Sequence, residues 1–532
     1  MPKFILNDQE VEAQPGQTII QAAQDHGVEI PHYCYHPDLP IDGNCRMCLV
    51  EVEKMPKLTP ACTTVVSEGM VVRSANERVK TAVRGVLEFL LINHPVDCPV
   101  CDQAGECRLQ DYYMVYGLHT SEIAQSLKVR KSKAVDLGPV MLDQERCVEC
   151  SRCVRFFENI TKTGELQFFG RGDHVRIGTI GNQPLDNPYS GNVAEICPVG
   201  ALTDHDFRFK ARVWFLHSTN SVCGGCSTGC NMRIDHRDGT VFRLQARRNV
   251  EVNRSWLCDE GRYSFHELGR GERLLYPLVK QDGAQAQATW GEAARAIDAR
   301  LKEIGAGAIL GLASPSATNE ALYLFKQYLG EQLGSSLLDF RTDSEDQRVT
   351  EREDDILRHR DKHPNTMGAL KLDLASAELG GIDGAIRAAR EGRARAGVII
   401  YLKPLVRREG DAEAEAKIAE LVRSLEYSVV LAAHSADWQQ QASVVLPVAV
   451  WSEEDGTYTN YQGRVQLAAK ATEPGGDILP VWEVFAMLLH VSGAESRWMT
   501  PDDVFATMAE RVEAFRGIQL EQRRWPGALA SA

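Results

Sequence analysis

The sequence predicts a multidomain α+β protein in which several small cysteine-bearing domains precede one larger α/β domain. Three observations lead there. The chain has 532 residues, and at about 150 residues per domain that length suggests three or four domains. All 15 cysteines lie between Cys34 and Cys258. Beyond residue 276, short apolar runs alternate with helical stretches, the order expected of a doubly wound parallel sheet.

Composition narrows the class. Hydrophobic residues make up 44% and charged residues 25%, as in ordinary soluble globular proteins. A net charge of -14 argues against nucleic acid as a partner. No apolar run approaches the ~18 residues of a membrane span. The N-terminus, Met1-Pro2-Lys3-Phe4-Ile5-Leu6-Asn7, lacks the shape of a signal peptide. The expectation is a cytoplasmic protein with no direct membrane span. In a reducing cytosol thiols persist as ligands or nucleophiles, and an odd count fits a full disulfide framework poorly. Metal or iron–sulfur ligation is the better account.

The central group is Cys147, Cys150 and Cys153, followed by the remote pair Cys197-Pro198. C-x2-C-x2-C with a distant Cys-Pro is a ferredoxin-type ligand set for a [4Fe–4S] cluster. The short spacing lets one tight loop aim three sulfurs, and the fourth closes the cage from elsewhere. Arg146, Arg152 and Arg155 flank this group. They either offset cluster charge or are solvated.

The remaining groups follow in chain order. Residues 1–78 open with a strand at Lys3 to Leu6, a second around Val11 to Ala13, and a helix from Thr18 to His26 stopped at Gly27. Cys34, Cys45, Cys48 and Cys62 come next, and Gly43 leaves the backbone free to fold over a cluster. Two strands, a helix and a cysteine loop resemble the β-grasp ferredoxins that hold [2Fe–2S]. The first gap departs from the plant-type C-x4-C. That long gap is similar to the large iron–sulfur subunit of respiratory NADH dehydrogenase. A four-cysteine zinc site with one close pair is the alternative.

Residues 79–118 carry His94, Cys98, Cys101 and Cys107 as H-x3-C-x2-C-x5-C, after an amphipathic helix marked by Val83, Val86, Leu87, Leu90 and Leu91. Three thiols need a fourth donor, and a neutral imidazole can supply it. That exchange leaves a cluster less negative and raises its potential. A lone histidine near a helix end otherwise reads as a cap or surface residue. Within residues 119–138, the basic run Lys128 to Lys133 reads as a charged linker, with a docking strip as the alternative.

Residues 139–215 hold the central group. Residues 216–275 carry Cys223, Cys226, Cys230 and Cys258, whose spacing C-x2-C-x3-C-x27-C resembles the N-terminal [4Fe–4S] module of molybdopterin oxidoreductases. Gly224, Gly225 and Gly229 permit close backbone approach. The four groups use four, three, four and four cysteines, so no thiol is left over and His94 is the sixteenth ligand.

In the region 276–532, Ala308 to Ala313, Val398 to Leu402 and Val429 to Ala433 read as buried strands. Asn319 to Leu333 and residues 411–425 read as helices. Residues 342–363 are highly charged and read as a surface excursion. Gly305-Ala306-Gly307 precedes its strand instead of following it, so it is no dinucleotide loop. Glu454 to Asn460 with Gly463 to Val465 is turn-rich and resembles a segment of the molybdopterin-enzyme fold.

Taken together, the chain resembles the large iron–sulfur subunit, the G type, of bacterial NADH-quinone oxidoreductase (complex I). The resemblance implies one [2Fe–2S] cluster on Cys34, Cys45, Cys48 and Cys62, and three [4Fe–4S] clusters on the other sets. It also implies a shortened α/β domain with no molybdopterin. The fourth set favours a bacterial source. The function implied is an electron relay on the cytoplasmic side of the inner membrane, in the peripheral arm, with no substrate site of its own. Its partners would be the flavin/NADH-binding subunit with its small [2Fe–2S] companion, and the quinone-side iron–sulfur and connecting subunits.

Other functions compete. A molybdopterin enzyme needs a metal ligand after the fourth set, where no cysteine occurs, although Ser or Asp can serve. Such enzymes also tend to carry a Lys two residues after the last cluster cysteine, where this chain has Glu260. A relay subunit of an NAD-linked hydrogenase or formate dehydrogenase complex would show nearly the same motifs. A zinc scaffold would contain no sulfide.

Overall fold

The computed structural model describes residues 1–117, 128–269, 271–342, 349–406, 410–494, 498–519 and 528–529. The chain divides into two compact units, Met1–Leu216 and His217–Ala532.

The first unit begins with β1 (Lys3–Leu6), β2 (Gln9–Glu12), α1 (Ile19–Asp25), β3 (Leu49–Val52), β4 (Thr59–Pro60) and β5 (Val71–Arg73). The strands form one sheet in the order β2-β1-β5-β3-β4, with β1 and β5 parallel. Phe4, Leu6, Ile19, Ile20 and Val50 fill its core. This is the expected two strands, helix and cysteine loop, and Gly27 does follow the helix end at φ 71°. Next come α2 (Glu77–Leu91), α3 (Arg108–Tyr116), β6 (Val135–Asp136), β7 (Val140–Leu142) and α4 (Arg152–Asn159). The hairpin β8 (Leu166–Phe169) and β9 (Arg176–Thr179), then α5 (Asn192–Ile196) and β10 (Leu202–Asp204), complete the unit. Helix α2 starts at Asn76, whose side chain accepts from the Val79 amide at 3.0 Å, and buries Val79, Val83 and Leu87 at helical spacing.

The basic run is no free linker. Lys128 Nζ donates to the carbonyls of Leu91 and His94 at 2.9 and 2.6 Å. Lys131 pairs with Glu149, and Lys133 with the buried Glu145. Residues 119–127 lie outside those described.

The second unit opens with the antiparallel sheet β11 (His217–Val222), β12 (Asn231–Arg237) and β13 (Thr240–Ala246), then α6 (Asp259–Arg262). Its main body holds β14 (Leu278–Gln281), β15 (Ala284–Gln287), α7 (Trp290–Ile304), β16 (Ile309–Leu312), α8 (Asn319–Lys326), β17 (Leu337–Asp339), α9 (Thr366–Lys371) and α10 (Ile382–Arg390). These are followed by β18 (Ala396–Tyr401), α11 (Asp411–Ser424), β19 (Tyr427–Ala432) and β20 (Val444–Pro447). The sheet order is β15-β14-β20-β19-β18-β16-β17. Strands β16 to β20 run parallel, while β14 and β15 form an antiparallel edge.

Alternate residues of the parallel strands face opposite layers. Val398, Ile400, Val429 and Leu431 meet helices α7 and α8. Ile399 and Val430 meet α10 and α11. Each such side chain stabilises the layer by about 1.5–3 kcal/mol on burial, which is why these strands are apolar on both faces. The hairpin β21 (Gly456–Thr459) and β22 (Arg464–Ala468) forms from the turn-rich segment, and α12 (Val481–Val491) and α13 (Pro501–Arg511) close the core.

Two further expectations change. The helix expected from Asn319 to Leu333 is α-helical only to Lys326 and continues as a π-turn over Gln327–Gln332. The charged stretch 342–363 is not a surface excursion over its described part. Leu357, His359, Asp361, Lys362 and His363 are buried, because the segment returns onto the Cys223 loop. Residues 343–348 lie outside those described.

Candidate iron–sulfur centres

All fifteen cysteines are free and buried or half-buried. Cys34 follows α1, Cys45 and Cys48 sit in the loop entering β3, and Cys62 follows β4. Their thiols touch: Cys34 contacts Cys45 and Cys62, and Cys48 contacts Cys62. Those contacts lower the pKa of Cys34 and Cys48 and raise that of Cys45 and Cys62. The Tyr33 amide donates to Cys45 Sγ at 3.5 Å. Gly43 turns the loop at φ 74°, where a Cβ would meet Thr63 at 3.1 Å.

Cys98, Cys101 and Cys107 gather between α2 and α3 and act electrostatically on one another. Burial pushes the Cys107 thiol up to about 11. His94 lies just past the end of α2, and burial lowers its imidazole to about 4, so at neutral pH it carries a free lone pair. A neutral imidazole is the form that can act as a donor.

The central set lines one small cavity: Cys147, Cys150, Cys153 and Cys197 surround it with Ile177, Val199 and Leu202. Its loop is built from alternating backbone hands. Glu149 and Ser151 adopt φ 53° and 62° on either side of Cys150, a conformation costing roughly 1–2 kcal/mol for a residue with a side chain. Such strain concentrates at functional sites. The Glu149 amide donates to Cys147 Sγ at 3.4 Å, and burial pushes Cys150 up to about 11.

The fourth set is framed by glycines. The Gly225 amide donates to Cys223 Sγ and the Gly261 amide to Cys258 Sγ, each at 3.4 Å. A Cβ on Gly261 would stand 3.0 Å from Cys223 Sγ. Trp451 covers Gly224 and donates from its indole to the Val222 carbonyl at 3.0 Å. Burial pushes Cys223 up to about 12, so a thiolate here needs a compensating cation.

Sequence reasoning left the arginines open, and the structure buries Arg146 and Arg155 and half-buries Arg152. Arg146 pairs with Asp97 at 3.1 Å and Asp143 at 2.9 Å. Arg152 donates to the Ile196 and Tyr35 carbonyls, and Arg155 to those of Cys34 and Pro40. Sequence spacing carried no signal for this, since most of the partners lie far along the chain. Lys362 was also missed, in a stretch that reads as solvated.

Among the described residues no three His, Cys, Asp or Glu side chains are placed to hold a single metal ion. A cluster interposes its own irons and sulfides between the thiols, so its cage is wider than that of a lone ion. Soft thiolates, amides aimed at sulfur and glycine-lined cradles fit iron–sulfur clusters.

The main sheet of the second unit has a cavity of about 570 Å³ at the C-terminal ends of its parallel strands, lined by Ser314, Leu402, His434 and Val450 among others. It lies at the switch point between β16 and β18, the usual ligand position in such sheets. Glu267, Asp411 and Glu415 line it against a single described lysine, Lys403, itself 3.5 Å from Glu415. These donors do not fit an anionic pterin cofactor.

Each thiol set falls within its own family match. A 2Fe-2S iron-sulfur cluster binding domain matches residues 3–77. The NADH-ubiquinone oxidoreductase-G iron-sulfur binding region matches 84–122. The ferredoxin-like domain of NADH-quinone oxidoreductase subunit 3 matches 138–203, and the NDSU1/NuoG-like 4Fe-4S domain matches 216–266. Among curated proteins, the G subunit of NADH-quinone oxidoreductase from Rickettsia conorii is 41% identical over 63% of this chain and 50% of its own length. This chain is thus similar to the NADH-quinone oxidoreductase G subunit over the part they share. The NADH-ubiquinone oxidoreductase 75 kDa subunit of Reclinomonas americana is 39% identical over 69% of the chain and 53% of its own. The chain spans about half the length of the curated relatives it matches. A molybdopterin oxidoreductase model matches residues 273–377 and 388–491, in line with the α/β sheet. A chain from an NAD+-reducing [NiFe]-hydrogenase in its H2-reduced state is 30% identical, covering 40% of this chain and 91% of that one, with a TM-score of 0.36. At that score the likeness decides nothing. Among the described residues no helix is long and apolar enough to cross a membrane.

Proposed function

We propose that this chain is the electron-relay subunit of a proton-translocating NADH-quinone oxidoreductase. Electrons would come from the flavin/NADH-binding subunit and its small [2Fe–2S] companion, and leave to the quinone-side iron–sulfur and connecting subunits. The proposed place is the peripheral arm, on the cytoplasmic side of a bacterial inner membrane. The domains divide as 1–78, 79–118, 139–215, 216–275 and 276–532, the last without cofactor. One [2Fe–2S] and three [4Fe–4S] clusters are held by the four sets, His94 included.

The observation that carries this reading is the one-to-one match between four thiol sets, with no cysteine left over, and four iron–sulfur family models. Bound clusters supply one-electron carriers whose potentials follow charge, hydrogen bonds to sulfur and exposure. The chain's residues do the rest. Cysteines donate thiolates, and the Tyr33, Glu149, Gly225 and Gly261 amides donate hydrogen bonds to sulfur. Val199, Leu202 and Trp451 exclude water.

Iron and sulfide quantitation with EPR of the reduced protein tests the reading. The expected result is about fourteen irons per chain, as one two-iron and three four-iron clusters. Zinc without sulfide, or molybdenum at unit stoichiometry, overturns it. Co-purification with a nickel or molybdenum subunit instead of complex I membrane subunits would reassign the complex.

A further inference from the structure

The charge and spacing of two of these sets meet at one side chain. Arg155 lies on α4, just beyond Cys153. Its Nη2 donates to the carbonyl of Cys34 and also, at 3.3 Å, to the carbonyl of Cys150. One nitrogen therefore joins a ligand of the proposed two-iron set to a ligand of the central four-iron set. Its Nη1 donates to the Pro40 carbonyl. Its Nε donates at 2.9 Å to Ser151 Oγ, which donates in turn to Asp42.

Arg152, three residues earlier on the same helix face, repeats the arrangement. Its guanidinium joins the Tyr35 carbonyl at 2.6 Å to the Ile196 carbonyl at 3.1 Å, next to Cys34 and Cys197 respectively. Arg155 is 8% exposed. Among the described residues no carboxylate stands within ion-pair distance of either guanidinium. A buried charge without a direct carboxylate partner is costly; Asp42 is reached only through Ser151, and both guanidinium groups act electrostatically on the Cys150 thiol.

We propose that Arg155, seconded by Arg152, is a positioning residue. It ties the Cys34 loop to the Cys150 loop and, through its charge, raises the potentials of the clusters on both sets together. This rests on the relay reading above. Arg155 itself gains and loses neither electron nor proton. Its charge favours the more negative, reduced state of each neighbour, and its hydrogen bonds fix their separation.

The test is a potentiometric EPR titration of the full chain, cluster-loaded, as wild type, Arg155→Gln and Arg155→Lys. Arg155→Gln is expected to lower both the two-iron and the central four-iron midpoints, each by about tenfold in the reduction equilibrium, or 59 mV for one electron. The signals of the His94 and Cys223 sets should stay in place. Arg155→Lys, which keeps the charge, should restore most of both shifts. Unchanged midpoints, or a shift in one cluster alone, overturn the inference. If Arg155→Gln does not assemble, Arg152→Gln decides: the same paired shift is expected, and an absent or unpaired one overturns the inference. Absence of two-iron and four-iron signals from the wild type would instead overturn the relay reading itself.

Discussion

Lys362 Nζ lies 2.9 Å from Glu260 Oε2. Glu260 stands two residues after Cys258, where molybdopterin enzymes tend to carry a lysine, and here the cation arrives from a segment about a hundred residues on. Lys362 also pairs with Glu353 at 2.7 Å and acts electrostatically on Cys223 and Cys226. Replacing it with Met leaves Glu260 with Arg358 alone. The expected result is a lowered midpoint for the cluster of the Cys223 set, by potentiometric EPR. Because the pair is partly exposed, the stability loss should be modest, about 1–2 kcal/mol, seen as a lower Tm.

His94→Cys exchanges a neutral donor for an anionic one. The set with Cys98, Cys101 and Cys107 should still assemble, with a lowered potential. An unchanged EPR midpoint would show that His94 is no ligand.

Gly200 has no room for a side chain. A Cβ there would stand 2.5 Å from Cys101 Sγ and 3.2 Å from Gln103. Gly200→Ala should therefore displace Cys101 and abolish or distort the EPR signal of the His94 set. The Cys223 set, in the other unit, should be untouched.

Glu454 is wholly buried, and desolvation first of all pushes its carboxyl up to about 8. An unfolded glutamate titrates near ~4.3. Between these values the folded state holds a proton that the unfolded state has lost. Its stabilising contribution is therefore complete below pH ~4.3 and is lost as pH rises towards 8. Across that window each pH unit should cost up to about 1.4 kcal/mol. Glu454→Gln should flatten the fall in Tm across that window. An equal slope in both proteins would show that Glu454 is ionised in the fold.

Local spacing made much of the fold legible. The α1 helix and its stop at Gly27, and the apolar runs of β16, β18 and β19, follow from periodicity and turn chemistry that act within a few residues. The hand reversals at Glu149 and Ser151 gave no such signal, because neither is glycine. They are imposed by the need to aim Cys147, Cys150 and Cys153 at one cavity.

The sequence by itself determined the inventory: fifteen thiols in four spaced sets, and an α/β sheet after them. Spacing along a chain limits which sulfurs one loop can present, so covalent geometry settles it. Only the tertiary structure decided the fate of the charges. Whether Arg155 is solvated or joins Cys34 to Cys150, and whether Lys362 faces water or Glu260, depends on which distant backbone folds against it. The cost of burying a cation is met only where carbonyls, carboxylates or thiolates converge, and no local pattern records that convergence.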